Sequence, residues 1–165
     1  MAPPLQKPGL SKQDYATPPE FLSAVKKLLH IEDFDIDLAA SEENSVAVAF
    51  YDETYGSLKR IGDWLIYPDG WAWCNPPYSH IAPWVEKAYK ESLLGAKVTM
   101  LLPASVGSNW WRDWVHHKAV AVLLNGRISF VGHTTPYPKD LALLLYDEAD
   151  THGISPYYTI WSWMK

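Results

Sequence analysis

The stretch Ala72-Trp73-Cys74-Asn75-Pro76-Pro77-Tyr78-Ser79 decides how the rest of the chain is read. Apolar residues run into an Asn and then two prolines. Neither proline has an N–H, so neither can extend a central strand. A strand therefore ends at about Asn75, and a stiff loop displays an amide side chain, fixed carbonyls and an aromatic face. In an open α/β sheet, ligands sit at the carboxyl ends of strands, and this loop falls there.

Such a corner suits the exocyclic amino group of a nucleobase. That nitrogen is a poor nucleophile, because its lone pair is delocalised into the ring. Two acceptors aimed at its two hydrogens favour a tetrahedral nitrogen and free the pair. Asn75 Oδ1 and the Pro76 carbonyl are the candidates. Tyr78 offers a face for the base, a stacking contact worth about 1–3 kcal/mol. A base within a duplex reaches such a pocket only when flipped out, at a cost of a few kcal/mol.

Upstream, Thr17-Pro18-Pro19-Glu20 reads as a helix start. Thr17 is the expected N-cap, Pro18 the first helical residue, and Glu20 the closing member of a capping box. Phe21, Leu22, Val25, Leu28 and Leu29 follow at helical spacing. Alternation from Phe34 predicts a strand ending near Leu38, then a small-residue turn. Val46-Ala47-Val48-Ala49-Phe50 predicts a second strand, followed by Tyr51-Asp52-Glu53. An acid placed there commonly binds a ribose hydroxyl, which nominates Asp52.

Downstream, Ile81, Trp84, Val85, Ala88, Tyr89 and Leu93 mark a helix ended by Gly95, with Lys87 and Lys90 on its expected solvated side. Lys97 to Leu102 reads as a buried strand ending at Pro103. Ser108 is the expected cap of a further helix. Ala119 to Leu124 is the next strand, closed by Asn125-Gly126, and Leu141 to Tyr146 is the last clear one. Apolar strands alternating with helices predict an α/β fold with a mostly parallel sheet. The final two strands lack a helix between them, which predicts an antiparallel edge strand. The connection between them carries Arg127, for phosphate or a plain surface, and Phe130, for a second wall of the base pocket or the core. The aromatic segment 151–165 either packs back on the sheet or meets a second subunit.

At 165 residues the expected layout is a flexible arm over 1–13 and one domain over 14–165. Hydrophobic residues make up 48% of the chain, enough for a real core. The net charge of −5 argues against a broad nonspecific phosphate-binding surface. Cys74 is the sole cysteine, so no internal disulfide forms, and a reducing compartment fits. No apolar run reaches the length of a membrane span and no signal peptide opens the chain, which predicts a soluble, cytoplasmic protein.

Asn75-Pro76-Pro77-Tyr78 resembles motif IV of the amino-group methyltransferases that use S-adenosylmethionine and act on adenine N6, cytosine N4 or a glutamine amide. Tyr15-Ala16-Thr17-Pro18-Pro19-Glu20 resembles motif X, whose Thr-Pro turn contacts the methionine end of that cofactor. Asp37-Leu38-Ala39-Ala40-Ser41 resembles motif I, which implies that Asp37 meets the cofactor's ammonium beside Ala39. The usual Gly-x-Gly is missing, and Ser41-Glu42-Glu43-Asn44 stands in its place. Ile61-Gly62-Asp63-Trp64-Leu65 resembles motif III, implying that Asp63 accepts from the cofactor's adenine amino group and Trp64 packs on its ring. With Leu102-Pro103-Ala104-Ser105, Trp110-Trp111 and Gly126-Arg127-Ile128-Ser129-Phe130, the set from Asp14 to Asp147 looks like the phage-type Dam family of DNA N6-adenine methyltransferases.

That resemblance implies a Rossmann-like methyltransferase fold, S-adenosylmethionine as cofactor, no metal, a flipped DNA adenine as substrate, and the cytoplasm of a bacterial host. It implies catalysis by Asn75, Pro76, Pro77 and Tyr78. Ser79, Arg127 and Phe130 are the implied substrate contacts. Two other readings stay open on sequence: methylation of RNA adenine or protein glutamine, and a noncatalytic nucleic-acid-binding protein on the same scaffold. Recognition sequence and oligomeric state are also open.

Overall fold

The computed structural model describes residues 15–52, 58, 62–64, 69–147 and 157–165. The expected arm over 1–13 lies outside them, as do Asp14, Glu53, Ile61, Leu65 and residues 148–156. The described elements are α1 (Pro19–Leu29), β1 (Ile36–Asp37), β2 (Ala49–Phe50), β3 (Trp71–Cys74), α2 (Ala82–Ser92), β4 (Lys97–Pro103), α3 (Asn109–Trp114), β5 (Val120–Asn125), β6 (Leu141–Tyr146) and β7 (Tyr158–Ser162).

The strands form one seven-stranded sheet in the order β2-β1-β3-β4-β6-β5-β7. Four neighbouring pairs are parallel. Strand β6 runs against both its neighbours, β4 and β5. The expected antiparallel strand therefore exists, but it lies inside the sheet and not at its edge. Its sequence, Leu-Ala-Leu-Leu-Leu-Tyr, explains the position. It has no charge or proline to protect an open edge, and five of its six residues are buried.

The edge belongs to β7, which the sequence reading missed when it ended the strands at Tyr146. β7 pairs with β5 from Ala121↔Tyr158 to Asn125↔Ser162, so the C-terminal segment does pack back on the sheet. Tyr158 and Ile160 stay exposed. A half-exposed edge strand lacks the continuous apolar run that marks a buried one. At the β5 terminus, Gly126 takes φ +110°, and its carbonyl accepts from Trp163 Nε1 at 3.0 Å. This ties the C-terminal residues to the start of the 126–140 connection.

Side chains alternate between the two faces of the sheet, and each face carries a core. Ala72, Cys74, Val98 and Met100 join Val85 and Trp111, from α2 and α3. Trp73, Leu101 and Leu143 join Phe21 and Val25 of α1 on the other side. Both faces are thus covered, as a mostly parallel sheet requires.

Helix α1 starts one residue later than expected. Its N-cap is Pro18, extended at φ −64° and ψ 140°, with no side-chain cap. A residue followed by proline is pushed out of the helical region, so Pro19 and not Pro18 takes the first turn. Thr17 is thereby released from capping. Ser108 caps α3 as expected, accepting from Trp111 N at 3.2 Å. Lys87 departs from its expected solvated position: it is 3% exposed.

The chain leaves β1 towards β2 on one side and leaves β3 towards β4 on the other. The loops after β1 and β3 therefore diverge at a topological switch point. A crevice opens there at the strands' carboxyl ends. Asp37 and Asn75 sit at those two ends. Among the described residues no helix is long and apolar enough to cross a membrane.

Candidate active site

Asn75 follows β3, and its side chain is gripped from one end. Nδ2 donates to the Tyr15 carbonyl at 2.8 Å and to Thr17 Oγ1 at 3.4 Å. A backbone carbonyl can only accept, so the amide orientation is fixed by chemistry. Oδ1 is then left buried with no hydrogen-bond partner among the described residues. A buried acceptor without a donor costs about 1–3 kcal/mol. Thr17, freed from the helix cap, takes part in setting that orientation.

Asp37 is 3% exposed. Oδ1 accepts from Ala39 N at 3.2 Å, and Oδ2 from Val46 N at 3.1 Å. Burial raises its carboxyl from 3.8 to about 6, against the pull of those two N–H groups. The loop closes further where Ser41 N donates to Asn44 Oδ1 at 2.7 Å. A carboxylate and an Asn side chain thus organise the turn that a Gly-x-Gly would otherwise make with bare backbone.

Tyr15, Thr17, Asp37, Ala39, Val46 and Asn75 line a cleft at this switch point, with a volume of about 20 Å³. That is room for about one water. The wall brings together a buried carboxylate and an unpartnered carbonyl oxygen, which suits a cationic, amine-bearing ligand.

Tyr15, which lines the cleft, also belongs to an aromatic cluster. The Tyr15 ring stacks with Tyr78 at 6.0 Å and 14°. It meets Phe130 at 5.0 Å and His133 at 5.3 Å. Tyr137 contacts Tyr78 at 5.6 Å and Phe130 at 5.9 Å. Tyr78 and Phe130, the two expected walls of a base pocket, are therefore bridged by Tyr15 and Tyr137. Tyr78 Oη is buried without a partner among the described residues, and burial pushes its hydroxyl well above its ordinary value.

The family model described as "DNA N-6-adenine-methyltransferase (Dam)" matches residues 6–142. The chain belongs to the Dam family. A protein of Haemophilus phage HP1 (strain HP1c1), named DNA N-6-adenine-methyltransferase, is 29% identical over 141 residues, covering 82% of this chain and 78% of its own length. A protein of the same name from Escherichia phage T1 is 36% identical over 80 residues, 48% of this chain and 32% of the T1 protein. No solved structure matches.

The remaining residues singled out in this Dam family chain are spread more widely. Pro76 is buried and Pro77 half-buried, while Ser79 is exposed just past Tyr78. Phe130 is buried at 2%. Arg127 is on the surface, 3.8 Å from Asp140. Pro18 caps α1 beside Thr17. Asp52 is half-buried after β2. Asp63 pairs with Lys87, and its carbonyl accepts from Tyr51 Oη at 2.9 Å. Trp64 is 2% exposed, stacked on Trp84 at 6.3 Å. The structure thus gathers Tyr15, Thr17, Asp37, Ala39 and Asn75 at one cleft, while Asp63 and Trp64 belong to a separate contact with α2. The sequence marks the irregular polar loop carrying His133 and Tyr137 as a candidate for base or phosphate contact, but not these two side chains as ring partners of Tyr15. Their only sequence signal was a loop of aromatic and polar residues after Phe130.

Proposed function

We propose that this Dam family chain is a DNA N6-adenine methyltransferase that uses S-adenosylmethionine, built on a Rossmann-like methyltransferase fold. The observation that carries the reading is the buried, unpartnered Oδ1 of Asn75, aimed by a fixed amide beside the buried carboxylate of Asp37.

The cleft's chemistry fits the cofactor: Asp37 would pair with its ammonium, and the Tyr15-Thr17-Pro18 turn and Ala39 would hold its methionine end. Asp52 would take a ribose hydroxyl and Asp63 the adenine amino group, while Trp64, buried at 2% and stacked on Trp84, is not open for the ring packing expected of it. When bound, the cofactor supplies a methyl group made electrophilic by its sulfonium. Asn75 Oδ1 and the Pro76 carbonyl would accept the two N6 hydrogens of the flipped adenine, which frees its lone pair for the methyl group. The prolines hold those acceptors rigid, so little reorganisation accompanies the transfer. Arg127 and Ser79 meet the DNA around the extruded nucleotide.

The reading is tested with unmethylated plasmid, RNA and a glutamine peptide, each incubated with the chain and labelled cofactor and analysed by nucleoside or peptide mass spectrometry. The expected product is N6-methyldeoxyadenosine in the plasmid alone, at positions that map the recognition site. Label confined to RNA or peptide, or absent throughout, overturns it.

The base slot raises a second expectation. Purine entry between Tyr78 and Phe130 displaces the ring of Tyr15, while the Tyr15 carbonyl can stay on Asn75. Tyr15→Ala clears that space. It is expected to lower the KM for DNA about three- to tenfold, the scale of the weaker ring–base stacking contacts. A raised KM at unchanged kcat makes Tyr15 a wall of the pocket instead.

A further inference from the structure

We infer that Lys87 and Glu91 of α2 are positioning residues for the cofactor, acting through Asp63; the inference rests on the reading that the Asp63-Trp64 segment receives the cofactor's adenine. One carboxylate holds the backbone on both sides of Asp63. Glu91 Oε1 accepts from Gly62 N at 2.7 Å, and Oε2 from Trp64 N at 3.4 Å. Glu91 is fully buried.

Lys87, one helical turn earlier, supplies the charge that makes this burial tolerable. Its Nζ pairs with Asp63 Oδ1 and lies 3.7 Å from Glu91 Oε1. It also sits 4.8 Å from the centroid of the Trp64 ring, a cation–π distance. Trp84, from the same helix, stacks on that ring. From the other side, Tyr51 Oη donates to the Asp63 carbonyl. The two flanking backbone donors, the Asp63 carboxylate and carbonyl, and the neighbouring ring are thus all held.

The partners are closed off and the held residue is not. Lys87 and Glu91 are 3% and 0% exposed, whereas the Asp63 side chain is 27% exposed. A loop that only needed anchoring would be served by apolar contact, without burying an ammonium and a carboxylate that must stay paired. Fixing the direction of a polar residue that remains accessible is what such a network does well, because the backbone N–H groups on either side of Asp63 and its carboxylate each have a charged partner. The i, i+4 pair resembles an ordinary solvated helix bridge in sequence, which is why Lys87 is expected on the solvated side.

The test measures S-adenosylhomocysteine affinity by titration calorimetry, together with KM for S-adenosylmethionine, KM for DNA, kcat and thermal melting. The main variant is Lys87→Met/Glu91→Gln, which removes both charges and leaves neither stranded. Cofactor affinity is expected to fall about tenfold, the scale of one lost charge-assisted hydrogen bond. KM for the cofactor rises in step, while kcat at saturation and KM for DNA stay within about twofold. Lys87→Arg, which keeps the charge, retains most of the affinity. Should the double variant not fold, Glu91→Gln alone is read with the same expectation. Asp63→Ala separates the two layers. If it leaves affinity intact, the adenine-site reading of Asp63 fails. If it weakens binding while a folded Lys87→Met/Glu91→Gln protein binds normally, the positioning role fails.

Discussion

Asn75→Ala is expected to lower single-turnover methyl transfer about 100- to 1000-fold, the range found when one preorganised polar group at a reacting centre is removed. Cofactor affinity should change by only a few-fold. The argument rests on an asymmetry within one side chain. The nitrogen end is tied to Tyr15 and Thr17, and the oxygen end is buried without a partner. A buried acceptor with no partner among the described residues favours a donor arriving from outside. The same asymmetry limits the stability change. Alanine strands the Tyr15 carbonyl, a loss, but also removes the unmatched Oδ1, a gain of similar size, about 1–3 kcal/mol each. A large fall in rate with a small shift in melting temperature is therefore the signature of a functional group retained at the expense of stability. Thr17→Val checks the orienting contact separately. It keeps the shape, removes the weaker 3.4 Å bond, and should lower the rate by a smaller factor at unchanged cofactor affinity. A wild-type rate for Asn75→Ala would remove the amide from the mechanism altogether.

What the sequence made legible is mostly what local chemistry controls. The end of β3 was readable because two prolines cannot continue a strand. The mostly parallel sheet was readable because its strands are apolar almost throughout. The place of β6 was not, since the order of strands depends on which edges get covered, and only the whole sheet settles that. The start of α1 was misjudged by one residue because a Thr-Pro-Pro start satisfies two capping rules at once, and the restriction that Pro19 imposes on Pro18 decides between them. That shift has a consequence for the site, because it frees the Thr17 hydroxyl for Asn75. At the site, Asn75 was nominated by its amide at a strand end and by the resemblance to motif IV, and Asp37 by the resemblance to motif I. The ring cluster was not, because Tyr15 and Tyr137 lie far apart in sequence and meet only when α1 and the 126–140 connection fold against the same corner. Lys87 was misplaced for a related reason. Helical spacing gives the face a residue occupies, but not whether a distant loop carrying Asp63 covers that face.

Asp37 supplies the second large effect, and it depends on pH. Its carboxyl is raised from 3.8 to about 6 by burial, so the free protein carries it largely neutral below that value. A neutral carboxyl cannot pair with an ammonium. The kcat/KM for S-adenosylmethionine, which reports the enzyme before the cofactor binds, is expected to fall about tenfold per pH unit below about pH 6, with DNA at a fixed subsaturating concentration. Asp37→Asn should lower kcat/KM at neutral pH by about 10- to 100-fold, the scale of losing a charge-assisted pair, and should flatten the profile. Stability should move in the opposite direction. The folded state holds this proton more tightly than the unfolded chain, so the group's contribution to folding is fully present below 3.8 and is lost as pH rises through about 6. The loss is about 3 kcal/mol, the size that such a displacement corresponds to. The melting temperature of Asp37→Asn should lack this component of the pH slope. Acidification between these limits thus relieves the fold at this position while it disables cofactor capture. A kcat/KM that holds level through pH 6 and down to 5 would show that Asp37 serves only to tie the 38–46 turn.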